Sequence, residues 1–513
     1  MASTSVIAVS SPCISNVREK CHKRSGNHIR RLSFNLRPGN GIESLHTTFR
    51  LENRGTLWNW ARTKQGRWSA HSAIGERATI KCHAVSGIEL TQGLDKVDGS
   101  EPVHQFVIVG AGIAGLATAV AMDKIGVKTL VLEQSAGLRT TGSSLSLWRN
   151  AWRVLDLLGV SDELRTKHSL ITGVRFFNQD GKLLKSFEVD ECPGGPHVIC
   201  CVERKLLADS LASRLPPETI RYNSRVLSIE RESENGPFEL KLSDGSVLRT
   251  KVLLGADGVN SVVARWMGLA KPRYVGHIGN RGLAVYPAGQ PHGDKFRQII
   301  GNGVRAGVLP ISATKVYWFI VHPVASLGPR VTDPNEVKAE LLRTLDGWPE
   351  YIIDLINQTP LESISRSALV DRWNLPGFTP PVAQNGITLA GDALHPMTPS
   401  LGQGGCIALE DAIKLTQTVG VVLAKGDNAD PESITKAMKE YAAERHQRAF
   451  PLTVQSFVMG LFMLTSFPPF SFVRNHFLIP KMIGPMSFLA ATFYDCGELP
   501  KAQLVRKKSY PMK

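Results

Sequence analysis

The sequence predicts an α/β fold: a Rossmann-like nucleotide-binding domain, a mixed-sheet substrate domain inserted in it, and a C-terminal helical cap. Three observations point there. A GxGxxG turn stands between an apolar run and a small-residue helix early in the chain. Two later stretches, "YVGHIGNRGLAVYP" and "KVYWFIVHP", alternate as strands do. The last region is rich in Phe and Met, with few charges.

The first unit reads "QFVIVGAGIAGLATAVAMDKIGVKTLVLEQ" and follows a polar linker ending near Pro102. Gln105–Val109 suits a buried parallel strand, and Gly110, Gly112 and Gly115 hold the GxGxxG spacing. A helix follows, then a second strand over Lys128–Leu132 that ends at Glu133. Gly110 permits the tight turn, Gly112 lets the backbone approach a pyrophosphate, and Gly115 lets helix and strand pack closely. The amides of Ile113 and Ala114 fall at the helix N-terminus, where unpaired N–H groups attract anions. Glu133 is suited to an adenosine ribose, and its charge disfavours a 2′-phosphate. Strand, helix, strand and acid in this order favour a dinucleotide over a structural glycine turn. The motif alone does not separate FAD from NAD.

Two further strand ends carry acids. In "VLLGADGVNSVVARWMG" an apolar strand ends at Asp257-Gly258, before a helix with Ser261 and Arg265. In "GITLAGDALHPMTPSLGQGGCIALEDA" the strand Ile387–Ala390 ends at Asp392, at the carboxyl edge where open α/β sheets bind ligands. Pro396 and Pro399 stiffen the loop, and Gly402, Gly404 and Gly405 free backbone amides before a helix beginning near Cys406. Such a helix N-terminus stabilises negative charge, which a reduced flavin ring carries. Between these sites "VERKLLADSLASRL" forms an amphipathic helix with Arg204 on its first turn, by itself a solvated surface charge.

Together and in this order, "GAGIAG" with Glu133, the Arg204 helix, "GADGVNSVVAR" and "GDALHPMTPSLGQGG" resemble the single-component FAD-dependent aromatic hydroxylases, the p-hydroxybenzoate hydroxylase-like flavoprotein monooxygenases. The similarity runs from about residue 104 to about 425, and "LSLWRNAWRVLDLLGV" with "GQGGCIALEDA" is similar to the plant salicylate-hydroxylase-like and zeaxanthin-epoxidase-like branch. The resemblance implies that Glu133 binds the adenosine ribose, Arg204 contacts the FAD pyrophosphate region and Val226 approaches the adenine through its backbone. It implies that Asp257 serves the pyrophosphate and the pyridine nucleotide, Asp392 the ribityl chain, and Pro399 with the Gly402–Gly405 amides the isoalloxazine. Cys406 departs from the Asn of many aromatic hydroxylases, and Ala264 displaces the family's Arg by one place to Arg265. The implied reaction uses NAD(P)H and dioxygen. A C4a-hydroperoxyflavin hydroxylates or epoxidises a small aromatic or isoprenoid compound. The alternatives are a FAD-dependent dehydrogenase or oxidase, a non-redox flavoprotein on the same scaffold, or a flavoprotein without turnover.

The substrate side is expected between the Asp-Gly and Gly-Asp motifs. Arg281 and His277 are candidates to orient or deprotonate a phenol or to bind a carboxylate, with packing as the competing reading of His277. No catalytic base is assigned. The expected layout is a transit peptide over 1–82, a linker over 83–102, FAD-binding segments over 103–170, 195–268 and 367–428, substrate-domain segments over 171–194 and 269–366, and a helical region over 429–513. The C-terminal helices are read as a cap closing the site; the alternative is a surface that meets a plastid membrane.

Composition narrows the function. Of the formal +15 charge, residues 1–80 carry 13 Lys/Arg against 4 Asp/Glu, so the basicity is N-terminal and nucleic acid is not an expected partner. A Ser/Arg-rich, acid-poor start opening Met-Ala-Ser reads as a chloroplast transit peptide, cleaved near Cys82, rather than a secretory signal. Outside it, Cys192, Cys200, Cys201, Cys406 and Cys496 form no CxxC pair, so no zinc site or disulfide framework is expected. No apolar run reaches transmembrane length.

Overall fold

The computed structural model describes residues 103–501 apart from 139–143, 232, 235, 329, 330, 332 and 376, and short strands between residues 14 and 79. The chain divides into Met1–Asp98 and Gly99–Lys513. In the first, Ile14–Arg24, Asn27–Leu36 and Phe49–Leu51 pair antiparallel, as do Trp58–Arg62, Trp68–Ser72 and Arg77–Thr79. The expected linker 83–102 and the cleavage point near Cys82 lie outside the described residues.

The second unit is built on two sheets. The first places five strands parallel, in the order Ile220–Arg221, Leu130–Leu132, His104–Val109, Val247–Gly255 and Ile387–Leu389. The early half of Val247–Gly255 continues into an antiparallel ribbon with Phe238–Leu242 and Val226–Arg231. The strand His104–Val109 is apolar on both faces because both are covered. Phe106 and Ile108 pack under the helices Ile113–Lys124 and Gly404–Leu415, while Val107 and Val109 meet Val263, Ala264 and Leu389. The strand expected to begin at Lys128 begins at Leu130, and the helix expected near Cys406 begins at Gly404.

The second sheet is mixed, in the order Leu183–Glu188, Gly173–Asn178, Lys295–Ile300, Arg305–Pro310, Lys315–Pro323, Arg273–Val285, Ser365–Asp371. Only Gly173–Asn178 with Lys295–Ile300 is parallel. One face buries Trp318, Ile320 and Val308 beneath the helices Pro334–Thr344 and Glu350–Asn357. Strand alternation turns Tyr317 and Phe319 to the opposite face, where Tyr317 joins the core cluster of the first sheet's helices. The helices after residue 430 pack there too, through Tyr441, Ile479 and Leu489.

Candidate active site

The acids at three strand ends converge because the glycines between them leave no room for side chains. Gly110 has φ +106°, and its amide donates to the Leu132 carbonyl at 2.8 Å. A β-carbon there would stand 2.6 Å from the Ala256 carbonyl oxygen and 2.8 Å from the Asp257 Cα. At Gly115 it would lie 2.0 Å from the Gly110 oxygen. At Gly391 it would meet the Ala114 Cβ at 2.9 Å. The loops at Gly110, Asp257 and Asp392 are therefore in contact around the start of the helix Ile113–Lys124.

That start is electropositive. Gly112 caps it without a side chain, and no acid lies in the first turn. Glu133 stands beside it, each carboxylate oxygen accepting a backbone N–H, from Ala111 at 3.0 Å and from Ser135 at 2.9 Å. Its own amide and carbonyl bond to Arg221 and Ser224, which brings the segment leading to Val226 alongside. Arg204, half-buried, begins a helix that packs against Ile113–Lys124. Asp257 is strained electrostatically. Burial pushes its carboxyl above the usual range against hydrogen bonds from Ser261 and Val262, and its Oδ1 is buried without a partner. A buried orphan acceptor marks a place where a ligand donor belongs. A second uncapped helix start lies at Gly404, with no acid in its first turn. Asp392 and Pro399 are exposed beside it. Two open helix N-termini, three acids and a glycine with free space at Gly112 fit an extended dinucleotide such as FAD.

The loop after Asp392 is fixed by a buried ion network. His395 Nε2 lies 2.7 Å from Asp411 Oδ2, which also accepts the Gly391 amide at 2.7 Å. Arg445, fully buried, donates to Asp411 at 2.6 Å and to Glu410 at 2.8 Å. Asn150 donates to Glu410 at 2.7 Å and to Gln403 at 3.0 Å. Burial opposes charge on Asp411, but His395 and Arg445 outweigh it and hold the carboxyl at about 2. Arg372 adds donors to the Ala393 and Ala270 carbonyls at 2.8 and 2.7 Å. Trp148 Nε1 donates to the Gly402 carbonyl at 3.1 Å. The Cys406 thiol faces Ser146 and Gly402 within the core, and burial raises its pKa to about 12, so it is inert.

From Trp148 a chain of aromatic rings leads onto the second sheet. Phe488 lies 5.5 Å from Trp148, 5.6 Å from Phe187 and 6.4 Å from Phe296, which is 6.4 Å from Phe319. Arg281 and Arg305 share this sheet face with the rings. Arg281, opposite Phe319 in register, donates to Ser367 Oγ at 2.7 Å and interacts with buried Tyr317. Arg305, 5% exposed, donates to Gln298 Oε1 and lies 5.5 Å from the Phe319 ring; no carboxylate pairs with it among the described residues. Burial brings its pKa down to about 10. His277 sits apart, opposite Pro323, with Nδ1 on the Val275 carbonyl at 3.0 Å and its pKa lowered by burial.

The sequence-predicted residues thus gather in two places. Gly110 to Gly115, Glu133, Asp257 and Asp392 meet at the strand ends, and Gly402 leads into the adjoining helix that Gly404 and Gly405 begin. Arg281 is on the aromatic face, and His277 at its margin. Sequence reasoning missed Arg305, the ring chain and the His395–Asp411–Arg445–Glu410 network. The adjacent acids Glu410 and Asp411 inside an apolar helix were the available signal.

A profile described as the FAD binding domain matches residues 104–456. Monooxygenase 2 of Arabidopsis thaliana is 35% identical over 411 residues, covering 77% of this chain and 98% of that relative. The chloroplastic zeaxanthin epoxidase of Nicotiana plumbaginifolia is 28% identical, covering 67% of this chain and 53% of that protein. Among solved structures, Klebsiella pneumoniae HpxO complexed with FAD and uric acid has the same fold, with a TM-score of 0.66 and 24% identity over 76% of this chain and 96% of that one. By this match across most of its length, and by the site the match encloses, the chain belongs to the FAD-binding-domain family as a FAD-dependent monooxygenase.

Proposed function

We propose that this monooxygenase uses NAD(P)H and dioxygen in a plastid, reached through the N-terminal 82 residues, to place one oxygen atom on a small aromatic compound. When bound, FAD would supply two-electron transfer from the nicotinamide and activation of dioxygen, whose one atom would go to an electron-rich carbon and whose other would leave as water. The carrying observation is the convergence of three strand-end acids on two open helix N-termini, with the Asp257 Oδ1 left for a ligand donor. Glu133 would hold the adenosine ribose, with Val226 near the adenine. Arg204, Asp257 and the amides of Gly112 to Ala114 would hold the pyrophosphate. Asp392 would hold the ribityl chain, and Pro399 with the Gly402–Gly405 amides the ring.

Substrate would lie against the aromatic face, where Phe488 and Trp148 exclude water that would otherwise divert the oxygen to peroxide. Arg305 without a carboxylate partner, and Arg281 beside Tyr317, favour a compound with an acidic group over a neutral isoprenoid. The isoprenoid reading draws on the epoxidase relative.

Asp392→Ala tests the assignment: flavin content should fall at least about ten-fold with the unfolding midpoint of the flavin-free protein unchanged, since the acid is exposed. Full flavin content in that variant rejects the loop's role. Labelled oxygen entering product in step with NADPH consumption tests the reaction, and peroxide equal to NADPH with every phenolic and isoprenoid tried rejects it.

A further inference from the structure

We propose that the C-terminal helices form a docking surface for a lipid bilayer bearing anionic headgroups. Of nineteen large hydrophobic residues exposed among the described residues, eight lie between Val458 and Met486. This is a concentrated patch rather than the scatter normal for a soluble surface. Phe467 is 63% exposed, Phe472 58% and Met482 68%, with Phe477 6.4 Å from Phe472.

The patch is built, not frayed. The helix Pro431–Leu464 turns by 100° into Pro468–Met482. Buried Arg474 locks the corner by donating to the Met463 and Thr465 carbonyls at 3.1 and 3.0 Å, spending its charge on the end of the long helix. Ile479 and Leu489 anchor the other side in the core. Neither helix is long and apolar enough to cross a membrane alone, and the right-angled corner suits lying on a surface.

Charge selects the occupant. No Asp or Glu occurs between Glu444 and Asp495, and exposed Lys481 sits over the Phe477 ring at 5.7 Å. After Pro500 the sequence carries five cations and no acid. Exposed aromatic rings on this acid-free stretch, with Lys481 among them and a basic tail later in the sequence, provide the two weak signals, apolar insertion and headgroup attraction, that hold a protein reversibly on an anionic leaflet. Phe488, on the same segment, reaches into the ring chain, so the docked face adjoins the substrate side.

The test uses the full chain with bound flavin, sedimented with phosphatidylcholine vesicles with or without phosphatidylglycerol. Binding should be roughly ten-fold greater with the anionic lipid, fall with salt, and vanish in Phe472→Ser/Phe477→Ser/Met482→Ser with flavin content intact. Unchanged sedimentation of that variant, or no lipid dependence, overturns the proposal. So does a wild-type dimer that the variant converts to a monomer, because the face then belongs to a second copy. If the triple variant loses its flavin, Lys481→Glu decides: several-fold weaker binding to anionic vesicles supports the proposal, and unchanged binding rejects it.

Discussion

The strand-end loops and the aromatic face of the second sheet are linked through Trp148 but are specified in different ways. At the loops the determinant is what cannot be present: a single carbon at Gly110 or Gly115 collides with backbone. On the sheet face the determinant is which side chains are present, and rings from four separate segments, at Trp148, Phe187, Phe296 and Phe488, fill one space. A backbone constraint admits almost one residue type and so writes a motif. A packing constraint admits many solutions and writes none.

The largest way to break the comparison is Gly115→Val. Its β-carbon would sit on the Gly110 oxygen, so helix and strand must part, at a cost of at least about 3 kcal/mol. The expected outcome is insoluble or flavin-free protein, read by expression and absorbance. Normal yield of yellow protein would mean that the turn is not the tight junction described.

Next is Asp411→Asn, which strikes the buried network that fixes the loop after Asp392. It leaves buried Arg445 with Glu410 as its one paired carboxylate among the described residues and should cost ~3 kcal/mol in urea unfolding. The pH dependence carries the sign. With the carboxyl at about 2 when folded and near 3.9 when unfolded, Asp411 contributes its full stabilisation, roughly 2–3 kcal/mol, above about pH 4 and loses it as pH falls through about 2. The Asn variant should therefore unfold at a lower urea midpoint near neutral pH and approach wild type in acid. Parallel curves at every pH would remove Asp411 from that role.

Much of the first sheet was legible because Gly110, Gly115, Glu133 and Asp257 are bound by short-range geometry: a turn, a close approach, an acid at a strand end. The helix starts at Gly404, two residues before Cys406, since three glycines near a helix start leave its first turn ambiguous. Arg305 was illegible because an arginine in a strand reads as a surface charge until the register turns it onto the buried face beside Phe319 and Gln298. The partners of Asp411 were likewise out of reach, as Arg445 lies 34 positions away on a helix whose burial depends on the whole fold.

The smallest change is the most discriminating, because it separates a glycine the fold requires from one a ligand requires. Gly112 has φ −79°, which any residue adopts, and a β-carbon there would meet only the Ala256 oxygen at an ordinary 3.8 Å. Gly112→Ala should therefore leave the unfolding midpoint within about 0.5 kcal/mol of wild type. If a pyrophosphate lies against this backbone, the added methyl occupies its space and weakens flavin retention about ten-fold, a loss of about 1.4 kcal/mol. Flavin release measured by fluorescence on dilution reads that change directly. An alanine variant that keeps its flavin as tightly as wild type would mean that the dinucleotide passes the helix by another route. The same measurement on Gly115→Ala, where fold and flavin should fail together, shows that the two glycines of one motif answer to different forces.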